Sequence, residues 1–119
     1  MTFKGIPYYF GAIATTKCIE AILFMFKPGK YRDKATLDAC TGWFRHMGRF
    51  YENRTYEFTL DDQLTKGHVE VLLLDKKKRS LLKLSRQCPV QTIDLDGEKS
   101  RYYLQWEFKS ASGKCELAW

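Results

Sequence analysis

Arg101-Tyr102-Tyr103-Leu104-Gln105-Trp106-Glu107-Phe108-Lys109 alternates polar and apolar residues more strictly than any other stretch of the chain. Side chains along a strand point to opposite faces with a period of two. Tyr102, Leu104, Trp106 and Phe108 therefore share one dry face. Arg101, Tyr103, Gln105, Glu107 and Lys109 share a wet one. A strand with one packed and one solvated face belongs to an antiparallel sheet. The stretch decides the class of the second half, and it specifies a surface, not an activity.

The same period runs outward from it. Tyr56, Phe58 and Leu60 alternate with Thr55, Glu57 and Thr59, and Val69, Val71 and Leu73 alternate with His68, Glu70 and Leu72. Between them Gly67 ends a polar connection. Asp75-Lys76-Lys77-Lys78-Arg79 reads as a charged turn before a strand around Leu81 to Leu84. Cys88-Pro89 breaks the pattern, and Ile93 and Leu95 mark a short strand. Asp94, Asp96, Gly97 and Glu98 lack the ligands of a calcium loop, and Asp96-Gly97 reads as a hairpin turn. Ser110 to Gly113 turns the chain again before Cys115, Leu117 and Trp119. The expectation is mainly β: an antiparallel β-sandwich of about six strands from residue 55.

The first half, residues 1–54, reads as a mixed part adding one or two helices or covering strands. Ile6 to Phe10 is extended around Pro7. Ile19, Ile22, Leu23 and Phe26 stand at helical spacing, with a strand from Ile22 to Phe26 as the alternative. Pro28-Gly29 is a turn. Leu37, Cys40, Phe44, Met47 and Tyr51 form a helical stripe with Asp33 as its cap, against which stand Gly42 and Gly48, each costing about 1 kcal/mol in a helix. A strand reading of 33–52 also has support. Ala39-Cys40-Thr41-Gly42-Trp43-Phe44 echoes Ala111-Ser112-Gly113-Lys114-Cys115, small residues and a glycine leading into an apolar strand.

The chain has 119 residues, enough for one domain with one core. Its 45% hydrophobic and 29% charged residues are those of a folded globular protein. Twenty Lys and Arg against fourteen Asp and Glu leave a formal charge of +6, which favours anionic partners. Cys18, Cys40, Cys88 and Cys115 form no CxxC, and no metal-ligand spacing arises with His46 and His68. Free, buried thiols are expected, with Cys40–Cys115 the first pairing to consider if a disulfide forms. Ile19 to Phe26 lacks the leader and cleavage site of a secretory signal and falls short of the ~20 apolar residues that span a bilayer. Cytoplasmic residence and no membrane contact are expected.

Val69 to Asp75, Arg101 to Leu104, Ala111, Gly113, Leu117 and Trp119 resemble a recurrent module of uncharacterised bacterial proteins. In those small β-sandwiches a strand ending in an aspartate turn leads to a Tyr-rich strand, then to Ala-x-Gly, alternating apolar residues and a final Trp. The resemblance covers about half the chain. It implies a fold, with binding as its usual role, and brings no catalytic residues. Its relatives are often exported, whereas no export signal is read here.

Two clusters could contact an anion or nucleic acid. One is the run Lys76, Lys77, Lys78 and Arg79, whose mutual repulsion a polyanion would relieve; lysines on a turn also keep a β edge from pairing. The other sets Arg45, His46, Arg49 and Arg54 among Trp43, Phe44, Phe50 and Tyr51, cations interleaved with rings as single-stranded nucleic acid needs. Tyr103 adds a stacking surface on the wet face. A helix over 33–52 would make Phe44, Met47 and Tyr51 its buried stripe instead. Cys40 with His46 lacks an orienting third group, so no catalytic residue, cofactor or metal is assigned. The reading is a non-enzymatic interaction module that binds a protein or other ligand through its open sheet face or loops. The alternative is a nucleic-acid-binding protein using the basic turn and the Arg-aromatic segment.

Overall fold

The computed structural model describes residues 3–4 and 15–119, with side chains from residue 19 onward. The extended segment expected at Ile6 to Phe10 and the Cys18 side chain lie outside that description. Among the described residues eight strands follow one another: β1 (Phe3–Lys4), β2 (Thr15–Ala21), β3 (Leu23–Pro28), β4 (Arg32–Met47), β5 (Asn53–Leu74), β6 (Ser80–Leu84), β7 (Val90–Asp96) and β8 (Tyr103–Ala118). They form one antiparallel sheet in the order β1-β2-β4-β8-β5-β6, with β3 also on β4 and β7 also on β5. The long strands β4, β8 and β5 make the middle. Each carries two short partners on its outer edge or two long neighbours. On β4, β3 takes 33–38 and β2 takes 41–46. On β5, β7 takes 53–59 and β6 takes 71–74.

No residue described is helical, so the helical readings of 15–26 and 33–52 are corrected and the strand alternatives hold. In β4 the inward side chains are Asp33, Ala35, Leu37, Cys40, Phe44 and His46. They step by two except at the middle, where bulges stretch the steps to three and four, from Leu37 to Cys40 to Phe44. Three plus four is the rhythm of a helix face, and that is why the stripe looked helical. The earlier segment errs for a similar reason. Ala21 and Phe24 are inward on either side of a bend at Ile22, which itself is exposed.

The two middle strands share one device. Ala39 (φ 49°) and Gly42 (φ 132°) in β4 match Ser110 (φ 47°) and Gly113 (φ 124°) in β8. The two kinks lie opposite each other, Cys40 registering with Ala111. Their exchange is reciprocal: Ala39 N donates to Ser112 Oγ at 3.0 Å, and Ser110 N donates to Thr41 Oγ1 at 3.0 Å. Each bulge would otherwise leave an unpaired amide, and the hydroxyl from the other strand satisfies it. The sequence echo noted above is thus a pair of facing bulges. Gly67 (φ 77°) bends β5 beside the same row.

These bends correct the strand count. The polar connection at Gly67 and the turn at Ser110 to Gly113 are kinks inside β5 and β8, so four expected strands are two long ones. Asp96-Gly97 is a turn, yet not a hairpin: β7 lies on one edge of β5 and β8 on the other.

The inward residues from both sides of the bend make one core. Leu104, Trp106 and Phe108 are buried, Tyr102 half-buried. Phe24 of β3 meets Phe108 at 6.0 Å between ring centroids, and Phe26 meets Trp106 at 5.6 Å, both edge-on. Aromatic pairs prefer such geometry. Cys40 and Cys115 are buried free thiols and Cys88 is an exposed one. Burial pushes the Cys40 thiol up to about 12 and Cys115 higher still.

Candidate anion-binding cleft

A bent β4 brings its own ends together. From Asp33 to His46 a straight strand would run about 43 Å at its usual rise per residue. Instead His46 Nε2 stands 3.6 Å from Asp33 Oδ2. Both side chains are enclosed, at 0% and 1% exposure for Asp33 and His46. Arg49, just past the strand, reaches the same aspartate: its Nη2 donates to Asp33 Oδ1 at 2.8 Å and to the Gly29 carbonyl at 2.6 Å. Such a charge-assisted pair fixes the guanidinium in place.

The outer side of Arg49 faces an open cleft of about 240 Å³. The turn between β3 and β4 contributes Lys30 and Tyr31. The connection from β4 to β5 contributes Arg49, Tyr51 and Glu52, and the start of β5 adds Arg54 and Tyr56. Trp119, after β8, closes the wall and donates its amide to the Tyr31 carbonyl at 3.0 Å. Trp119 stands edge-on to Phe50 and leans on Phe58, so the core holds its ring. Tyr31 and Tyr51 are 57% and 67% exposed, large rings left open to water.

Among the described residues three cations, Lys30, Arg49 and Arg54, line this cleft against one carboxylate, Glu52. Each cation lies near a ring: Lys30 Nζ 5.4 Å from Tyr31, Arg49 5.8 Å from Trp119, and Arg54 3.7 Å from Tyr56. Arg54 also stands 3.4 Å from Glu52 Oε2. The wall therefore offers positive charge beside flat apolar surface, the combination that holds an anion carried on a ring.

Behind the cleft the Asp33–His46 contact is unsatisfied. His46 Nδ1 lies 3.2 Å from the Met47 carbonyl; a carbonyl only accepts, so Nδ1 carries the proton. Neutral His46 then turns the lone pair of Nε2 toward Asp33 Oδ2, and neither atom has another hydrogen-bond partner among the described residues. Burial pushes Asp33 up to about 6, with Arg49 opposing that shift. Burial likewise pulls His46 down to about 3.

The residues expected from sequence fall into two places. In the turn after β5, the Asp75 carboxylate accepts the amides of Lys77 and Arg79 at 2.8 and 2.9 Å and pairs with Arg79 Nε at 2.8 Å. Those bonds, the Arg79 amide foremost, hold its carboxyl below the usual range. Lys76, Lys77, Lys78 and Arg79 are all exposed. Lys78 lies 4.1 Å over the Tyr103 ring. Arg45 sits 5.1 Å over Trp43 and donates to Gln105 Oε1 at 2.9 Å. Since Arg45 registers with Gln105 and Met47 with Tyr103, Arg45 and Tyr103 share the outward face of β4 and β8. Arg49 is not on that face; it belongs to the cleft.

Sequence reasoning gathered Arg49, Arg54 and Tyr51 but not Lys30, Tyr31, Asp33 or Trp119. Lys30-Tyr31, a cation and a ring directly after Pro28-Gly29, was the available signal. His46 points Nε2 at Asp33 and Nδ1 at the Met47 carbonyl. Among the described residues no group of three His, Cys, Asp or Glu is placed to hold a metal, and no helix is long and apolar enough to cross a membrane. No family model, curated protein or solved structure matches the chain.

Proposed function

We infer that this protein is a non-enzymatic binding module, a β-sandwich made by one bent sheet, that works in the cytoplasm and takes a flat, anionic group into the cleft at Arg49. The ligand is a small molecule of that kind or the same group displayed on a protein partner. One observation carries the reading: Lys30, Arg49 and Arg54 converge with Tyr31, Tyr51 and Trp119 on one open recess. Naphthalene-1,5-disulfonate, a rigid ring system with permanent charge, is a suitable fluorescent probe. Arg49→Gln and Arg54→Gln should each weaken its binding about tenfold or more, as expected for lost hydrogen bonds to a charged group. Replacing Lys76 to Arg79 by Ser and Gly should leave binding unchanged. Binding that survives both arginine changes and disappears with the turn would overturn the reading.

A second reading, single-stranded nucleic acid, draws on a separate observation. The outward face presents Trp43, Arg45 and Tyr103, with Lys78 of the basic turn over Tyr103. Cation and ring pairs of this kind occur about once per 70–80 residues, and the described residues hold at least five. Binding by this face would be weakly sequence-dependent and would fall with salt at about −0.7 per phosphate neutralised.

A further inference from the structure

Arg49 touches both the cleft and the buried pair behind it. We propose that Asp33 and His46 form a one-proton site that positions Arg49 and couples anion binding in the cleft to proton uptake. The inference rests on the cleft being the binding site.

The geometry makes the case. Oδ2 of Asp33 and Nε2 of His46 face each other at 3.6 Å, with no other hydrogen-bond partner among the described residues. Both are acceptors when Asp33 is ionised and His46 is neutral, so their lone pairs repel in a dry setting. A single proton placed between them turns that repulsion into a hydrogen bond. The same proton removes the charge that neutralises Arg49, which bonds the other oxygen of Asp33 at 2.8 Å. An anion arriving at Arg49 then meets an uncompensated cation. Conversely, a bound anion competes with Asp33 for Arg49 and raises the affinity of the buried pair for its proton. By linkage the two effects are equal.

The surroundings isolate this pair. Positions registered with Asp33 are Pro28 on β3 and Leu117 on β8; those registered with His46 are Thr15 on β2 and Leu104 on β8. None of them ionises. Phe26 and Phe44 pack against the imidazole, at 5.1 and 5.2 Å between ring centroids. Arg49 is the charged group in contact with the aspartate, and Lys30, Glu52 and Arg54 are the charges on the cleft side. Burial raises Asp33 to about 6, which puts the titration within reach of ordinary buffers.

The test is a fluorescence titration with naphthalene-1,5-disulfonate at fixed ionic strength between pH 5 and pH 8, a range in which the probe keeps its charge. Wild-type affinity should rise about fivefold or more as the pH falls, the low end of typical coupling between sites. Asp33→Asn should bind at pH 8 as tightly as the wild type does at pH 5, with no slope. Glu52→Gln should keep the slope, which separates the buried pair from the carboxylate of the cleft. Calorimetry of the wild type in two buffers of different ionisation enthalpy at pH 6 supplies a readout that needs no variant: net proton uptake is expected on binding. Binding that depends on Arg49 but is flat with pH, without proton uptake, overturns this inference and leaves the cleft reading standing. Binding that ignores Arg49→Gln at every pH overturns both.

Discussion

At the scale of single residues, Asp33 and His46 illustrate how a bent strand can create chemistry that its sequence does not display. They lie thirteen positions apart in one strand, and nothing in their spacing pairs them. Their effects on stability oppose each other. His46, lowered in the folded state to about 3 from an ordinary 6.5, costs stability as the pH falls below its unfolded value. Asp33, raised to about 6 from 3.8, favours the folded state as the pH falls through the folded value. Between about pH 6 and pH 4 the unfolded chain carries the proton on His46 and the folded protein carries it on Asp33. Equal numbers of protons mean that the pair adds no slope there. Asp33→Asn leaves the histidine unbalanced. Urea unfolding at pH 6, 5 and 4 should therefore show the variant losing stability relative to wild type by about 1.4 kcal/mol per pH unit. Parallel profiles would show that Asp33 does not take up the proton.

Among the elements, the three long strands depend on their kinks. Gly67 holds φ 77°, and a β-carbon there would press on the backbone carbonyls of Lys109 and Ser110 across the ladder. Those atoms belong to a paired strand and have no freedom to withdraw. Gly67→Ala should cost about 1–3 kcal/mol, the range for a non-glycine residue forced into a strained backbone region, measurable by denaturant melts. A change within about 0.5 kcal/mol, the ordinary surface value, would mean that β5 bends elsewhere. The kinks also explain what could be read in advance. Where pairing runs straight, as at Leu104, Trp106 and Phe108 or Tyr56, Phe58 and Leu60, the period of two was legible, and these residues are buried. Where a bulge inserts a residue, the rhythm slips to three or four and imitates a helix, as at Leu37, Cys40 and Phe44. The glycines and small residues at 39–42 and 110–113 were visible, but they mark a bulge as readily as a turn. Only the pairing of β4 with β8 decides between the two.

For the whole molecule, a formal charge of +6 gives no address, because cations are distributed over turns, strand faces and loops. Folding separates them. Arg79 is tied to Asp75, Lys83 to Glu70 and Arg86 to Asp62, all at 2.8 Å. The cationic end of each pair is open to solvent, and its charge is met locally. Lys30, Arg49 and Arg54, the last two also facing Asp33 and Glu52, gather at one recess because the turn before β4, the connection after it and the residue after β8 meet there. Half of that site was legible as the Arg-aromatic run from Arg45 to Arg54. The remainder was not, since Lys30 and Trp119 join it only through the bend of the sheet.

Amide chemical-shift mapping of the intact protein during titration with naphthalene-1,5-disulfonate at pH 6 tests the cleft most directly. The account predicts the largest shifts at residues 29–31, 49–54 and 119, around the recess lined by Arg49. Shifts confined to residues 75–79 and 103, or no saturable shift at all, would contradict it.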